Sequence, residues 1–80
     1  MKAIVNVFLK AGVLDSQGKA VSHALSSLHF KNVKDVRVGK QIILELDETD
    51  DVKAREDVTK MCEEILANTV IEDYQIELIK

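Results

Sequence analysis

Apolar side chains recur in this chain at two different spacings, and the order in which those spacings alternate leaves few folds open. Residues 2–9, KAIVNVFL, are rich in β-branched and aromatic side chains and predict a strand. From Ala20 the rhythm changes: Ala20, Val21, Ala24, Leu25 and Leu28 recur at helical steps and predict one apolar helix face, ending near His29. The run NVKDVRVGKQIILELD returns to alternation. It predicts two strands, Val33–Val38 and Gln41–Leu46, joined as a hairpin at Gly39-Lys40. A second helix follows the acidic caps of Asp47–Asp51, with Val58, Met61, Cys62, Ile65 and Leu66 on one face and Asn68 as its C-cap. The closing run VIEDYQIELI predicts a last strand in which Tyr74, Ile76 and Leu78 face one way.

The order β-α-β-β-α-β predicts an α+β fold. It is a two-layer sandwich of a four-stranded antiparallel sheet with both helices on one face. The chain of 80 residues is read as one domain, 1–80. A chain this short buries only about 60% of the surface its unfolded form exposes, and small domains compensate with disulfides, metals or oligomers. Cys62 is the only cysteine, and with His23 and His29 it gives no metal-ligand spacing. Association remains. A two-layer sheet needs only one apolar face, yet Ile4 and Phe8 lie opposite Val5, Val7 and Leu9, and Ile43 lies opposite Ile42 and Leu44. That doubled apolar character predicts self-association through the sheet, as a homodimer or a higher homo-oligomer.

Fourteen acidic against eleven basic side chains give a net charge of −3, which argues against nucleic acid or an anionic membrane as partner. The same strand order occurs in RNA-recognition domains, but those stack bases on sheet aromatics, and this chain offers only Phe8, Phe30 and Tyr74. No apolar run approaches membrane-spanning length, and no targeting segment is visible at the start, so a cytoplasmic location is expected.

The stretch GVLDSQGKA invites comparison with a phosphate-cradling loop. That loop is G-x-x-x-x-G-K-[ST], whereas here five residues separate Gly12 from Gly18, and Ala20 stands where a metal-binding hydroxyl belongs. Asp15 would also repel phosphate. Helix entry is the better reading: Gly12 allows a turn, Asp15 caps, and Gly18 falls in the first turn, where its poor propensity matters least or is offset by close packing. Cys62 shares an apolar stripe and reads as core. Glu72 and Asp73 are adjacent in a strand, point to opposite faces and cannot act as a paired acid and base. No catalytic, cofactor-binding or metal site is expected.

The phrases LKAGVLDSQGKAVSHALSSL, VKDVRVGKQIILEL and MCEEILANTVIEDYQIEL together resemble the PurS family, the small subunit of phosphoribosylformylglycinamidine (FGAM) synthase. Ser16 and Thr69 stand where that family commonly has proline. The resemblance implies a non-catalytic role in the fourth step of de novo purine synthesis. A large synthetase subunit binds ATP, magnesium and the ribonucleotide, and a separate glutaminase subunit releases ammonia. PurS-like dimers bridge the two and protect ammonia in transit. By carry-over, Asp15, Gln17 and Gly18, then Arg37, Gly39 and Lys40, then Asn68, Glu72 and Tyr74 are the candidate partner-interface residues. The alternative is a stand-alone ACT-like domain that binds an amino acid, compatible with Gly12 between the first strand and the first helix.

Overall fold

The computed structural model describes residues 1–80. Its elements are β1 (Lys2–Leu9), α1 (Ser16–Ser27), β2 (Lys40–Glu45), α2 (Asp51–Met61) and β3 (Glu72–Ile79), with a π-helical turn at Cys62–Leu66. The strands form one antiparallel sheet in the order β2-β1-β3. Ala3 sits between Leu44 and Leu78, Val5 between Ile42 and Ile76, and Val7 between Lys40 and Tyr74. Side chains directly opposite one another share a face, so these rows define the inner face. Val58 and Cys62 are buried with Ala3, Val5, Val7 and Ala67 in one cluster. Its members are all small, which draws α2 close to β3 and the central strand. No helix is long and apolar enough to cross a membrane.

The hairpin expected at Gly39-Lys40 does not form. Residues 33–38 belong to no strand, so the sheet has three strands where four were expected, and the element order is β-α-β-α-β. A tight two-residue hairpin needs positive φ at one or both central residues. Gly12 is the one glycine with positive φ, at 87°. Gly39 serves close approach instead: a Cβ there would lie 2.7 Å from the Val7 carbonyl oxygen. The chain runs from Val33 to Gly39 without a turn or bend and enters β2 directly.

The second correction concerns α1. Both helices were expected on one face, but α2 alone packs on the sheet, and the only buried residue of α1 is Gly18. The helix projects from the sheet, giving a longest dimension of 48 Å and a radius of gyration of 16.0 Å. A compact domain of this length would have a radius of about 12 Å.

Helix ends follow local chemistry. Asp15 caps α1 by accepting from the Gly18 amide, and Asp50 caps α2 by accepting from the Val52 and Lys53 amides. At the far end of α1, the Phe30 N–H donates to Leu25 O at 3.0 Å and the His29 N–H to Ser26 O at 3.0 Å. This is a Schellman closure whose left-handed residue is His29, φ 72°, where glycine is usual. His29→Gly removes that strain and is expected to raise stability by about 0.5–1 kcal/mol, read from the urea midpoint. An unchanged midpoint would show that the histidine sits there without strain.

The π-turn shifts the phase of α2. Ala67 N–H donates to Cys62 O, five residues back, at 3.1 Å. The extra residue carries Ile65, expected on the buried stripe, out to 81% exposure, and brings Ala67 into the core. Asn68 therefore lies just past the helix C-cap, Ala67, and not at it.

Candidate functional site

At the end of the sheet where β1 stops and β2 begins, three loops are bonded together around Asp15. Its Oδ1 accepts from the Gly18 N–H at 2.8 Å and its Oδ2 from the Val38 N–H at 2.7 Å. One carboxylate thus caps α1 and fastens it to the segment before β2. Gly18 makes this fit possible, because a Cβ there would collide with the Val36 carbonyl oxygen. Arg37 adds a second fastening, donating from Nη1 to Val13 O at 3.1 Å and from Nη2 to Lys10 O at 3.2 Å. The Lys10 N–H donates onward to Ile71 O at 2.8 Å, tying in the segment before β3.

That last segment has its own brace. Asn68 N–H donates to Glu72 Oε1 at 2.7 Å, Glu72 N–H donates back to Asn68 O at 2.7 Å, and Val70 N–H donates to Asn68 Oδ1. Thr69 stands between these partners with no ring to fix its φ, and the paired bonds supply the rigidity that a proline would otherwise give.

The outcome is a cleft of about 240 Å³ lined by Val7, Phe8, Leu9, Asp15, Gln17, Val38, Gly39, Lys40 and Glu72. Of the sequence-derived candidates, Asp15, Gln17, Gly39, Lys40 and Glu72 meet there. Gly18 and Arg37 hold the adjoining backbone, and Asn68 reaches it through Glu72. Tyr74 does not: it lies on the inner face, where its hydroxyl donates to Glu63 Oε2 at 2.7 Å. Most of these groups are spent on intrachain bonds, so Gln17 and Lys40 are the exposed polar side chains left to present outward. The sequence reading missed Glu63 and the β1 residues Val7, Phe8 and Leu9. A signal for Glu63 existed, since alternation puts Tyr74 on the inner face beneath the acidic end of the second helix.

The Asp15 carboxyl is held below the usual aspartate range. The Val38 amide is the main cause and the Gly18 amide the next; desolvation opposes them, and Arg37 and the Gln17 amide add to the lowering. A carboxylate depressed in the folded state stabilises it above the unfolded pKa, and that stabilisation is lost as pH falls through the folded value. Acid unfolding of the wild type therefore takes up a proton at Asp15. Asp15→Asn is expected to be less stable at neutral pH and to show a shallower loss of stability below about pH 4, the unfolded aspartate range. Parallel pH profiles for the two proteins would refute this role.

Tyr74 moves the other way, its phenol pushed up to about 12, chiefly because its proton is shared with Glu63, with desolvation and the charge of Glu63 adding. It is the only tyrosine, so phenolate absorbance reports it alone. Alkaline titration is expected to give a midpoint near 12 in the wild type and one closer to the free-tyrosine value of about 10 in Glu63→Gln.

Comparison with known proteins bears on this arrangement. The profile of the PurS family, described as phosphoribosylformylglycinamidine (FGAM) synthase, matches residues 2–80. The PurS subunit of Bacillus subtilis is 50% identical over 96% of this chain and 90% of its own length. The crystal structure of Methanocaldococcus jannaschii PurS, one of the subunits of formylglycinamide ribonucleotide amidotransferase, superposes with a TM-score of 0.90. That pair is 43% identical over 99% of this chain and 95% of the other. In the structure of PurLQS from Thermotoga maritima, a chain 35% identical to this one superposes with a TM-score of 0.88, covering 98% of this chain and 95% of that one. These likenesses do not favour the ACT-like alternative. Full-length matches in sequence and in fold place the chain in the PurS family of FGAM synthase subunits.

Proposed function

We propose that this chain is the small, non-catalytic subunit of a split FGAM synthase in de novo purine biosynthesis. It bridges the large synthetase subunit and the glutaminase subunit and assists the passage of ammonia between them in the cytoplasm. ATP and magnesium are work for the synthetase partner, and this chain binds neither. It acts as a homodimer or higher homo-oligomer, with the outer sheet face as one contact between copies. Phe8, Ile43 and Ile79 are exposed on that face.

The observation that carries the reading is the meeting of the three family motifs at one end of the sheet. GVLDSQGKA, DVRVGK and the loop before β3 are distant in sequence, yet they are bonded into a single braced surface. A bridge between two enzymes needs a rigid surface of that kind more than it needs a nucleophile. The relative from Thermotoga maritima, seen as PurLQS, supports the choice of partners.

Reconstitution tests it. Synthetase plus glutaminase should need this chain for glutamine-dependent amidation and need it far less when free ammonia is supplied. Lys40→Glu, exposed at the cleft rim, is expected to lower the glutamine-dependent rate at least about tenfold, equivalent to about 1.4 kcal/mol, without changing the unfolding midpoint. Arg37 is unsuitable for that variant, because its guanidinium holds the loop carbonyls. Equal glutamine-dependent rates with and without the chain would sink the reading.

A further inference from the structure

The polar side of α1 carries chemistry that neither the core nor the braced cleft uses. Lys19, Ser22, His23 and Ser26 stand three, four and seven residues along from the first of them, and so share one side of the helix. Ala20, Val21, Ala24, Leu25 and Leu28 lie on the opposite side, so whatever covers that stripe leaves the polar side open. The segment after α1 brings Lys34 and Asp35 against the polar side. Together these six residues enclose a concavity of about 470 Å³ with no hydrophobic residue in its wall. Ser22 is half-buried there, and the other five are exposed.

The donors in this concavity are uncommitted. Lys2, Lys10, Lys53 and Lys80 each sit beside a carboxylate, whereas Lys19 and Lys34 have no such partner. The side chains of Ser22, His23 and Ser26 make no hydrogen bond within the chain. The bonds that reach His23 and Ser26 go to their backbone carbonyls. Asp35 is the one carboxylate in the wall, and its Oδ1 accepts from the Val36 N–H at 2.9 Å. Two ammonium groups against one carboxylate make the concavity locally cationic on a chain whose net charge is −3.

We propose that this concavity is a binding site for a phosphate group, free or esterified to a sugar. Ammonium, hydroxyl and imidazole N–H groups all donate to oxygen, and a phosphate offers more acceptor oxygens at once than a carboxylate does. Recognition ends at the phosphate and its sugar. A nucleobase finds no apolar or aromatic wall to stack on. An acidic protein segment is the poorer occupant, because protein contacts are anchored by aromatic and apolar side chains in pockets, and this wall offers them none. Asp35 opposes the anion and keeps the affinity low.

The test follows the backbone amide resonances of the full chain at constant ionic strength. Inorganic phosphate, ribose phosphate or adenosine monophosphate is added, with chloride as the blank. Saturable shifts confined to residues 19–26 and to Lys34 and Asp35 are expected with phosphate and absent with chloride. Adenosine monophosphate is expected to bind no more tightly than ribose phosphate; tighter binding would place a base contact there and overturn the assignment to phosphate and sugar. The ratio of inorganic phosphate to ribose phosphate affinity distinguishes a site for the free ion from one for the ester. Lys19→Gln combined with Lys34→Gln is expected to weaken binding at least about tenfold, through the loss of two charge-assisted contacts. Asp35→Asn, which keeps an acceptor for the Val36 N–H, is expected to tighten it. The same amide spectra report whether each variant is folded. Shifts that never saturate, that spread over lysines throughout the chain, or that persist in the double variant overturn the site. None of these readouts depends on amidation, so the bridging role and the phosphate site fail separately.

Discussion

Gly18→Ala is expected to unfold at a markedly lower temperature than the wild type, although alanine is the better helix former. Elsewhere in a helix the change would stabilise by about 1 kcal/mol. Here the new methyl would collide with the Val36 carbonyl oxygen and lie 2.9 Å from Asp15 Oδ2. Backbone on one side and a bonded carboxylate on the other leave little room to yield. Overpacking of this kind costs about 1–3 kcal/mol, and displacing Asp15 also weakens two charge-assisted bonds. The net loss is placed at about 2–3 kcal/mol, or roughly 10 °C or more in Tm for a domain of this size. Gly12→Ala is the control. Its Cβ meets open space, so only the φ of 87° opposes it, and the cost is the left-handed penalty of about 1–2 kcal/mol. A Gly18→Ala protein as stable as wild type would mean that Val36 is not packed against the first turn of α1.

The second large effect separates two residues that simple periodicity treats alike. Val58 and Ile65 are two helical turns apart and would share a face on an unbroken α-helix. Val58 is fully buried, and Ile65 is 81% exposed, because the π-turn intervenes. Val58→Ala removes two methyl groups from a cluster of six small residues. A loss of about 2–3 kcal/mol is expected, a large share of a small domain's stability. Ile65→Ala is expected to stay within about 0.5 kcal/mol at the same chain concentration. Comparable losses at both positions would place Ile65 in the core and contradict the π-turn.

Much of this was legible in the chain. The first strand, both helix starts and the face shared by Tyr74, Ile76 and Leu78 follow from alternation and from aspartates ahead of apolar stripes. The hairpin was misread because Gly39-Lys40 between alternating runs looks like a turn, and composition does not distinguish a glycine that turns from one that lets a neighbouring strand pass. The end of the second helix was misread because a π-turn has no marker residue of its own. His29 was likewise invisible as a left-handed closure, since that place is ordinarily announced by glycine. The convergence of Asp15 with Val38 eluded sequence reasoning for a different reason. It depends on a backbone amide, and every non-proline residue has one.

Cys62 offers a use of the core described above. Its thiol is fully buried, and its pKa is raised by desolvation and then by the charge of Glu63. A thiol so placed is inert while the protein is closed and becomes an ordinary nucleophile once α2 lifts from the sheet. Because the chain has one cysteine, the pace of its capping by a disulfide reagent is an internal clock for that opening. The clock can be read in the unmodified protein, alone or mixed with the proposed synthetase and glutaminase subunits, and is expected to slow wherever assembly holds the layers shut.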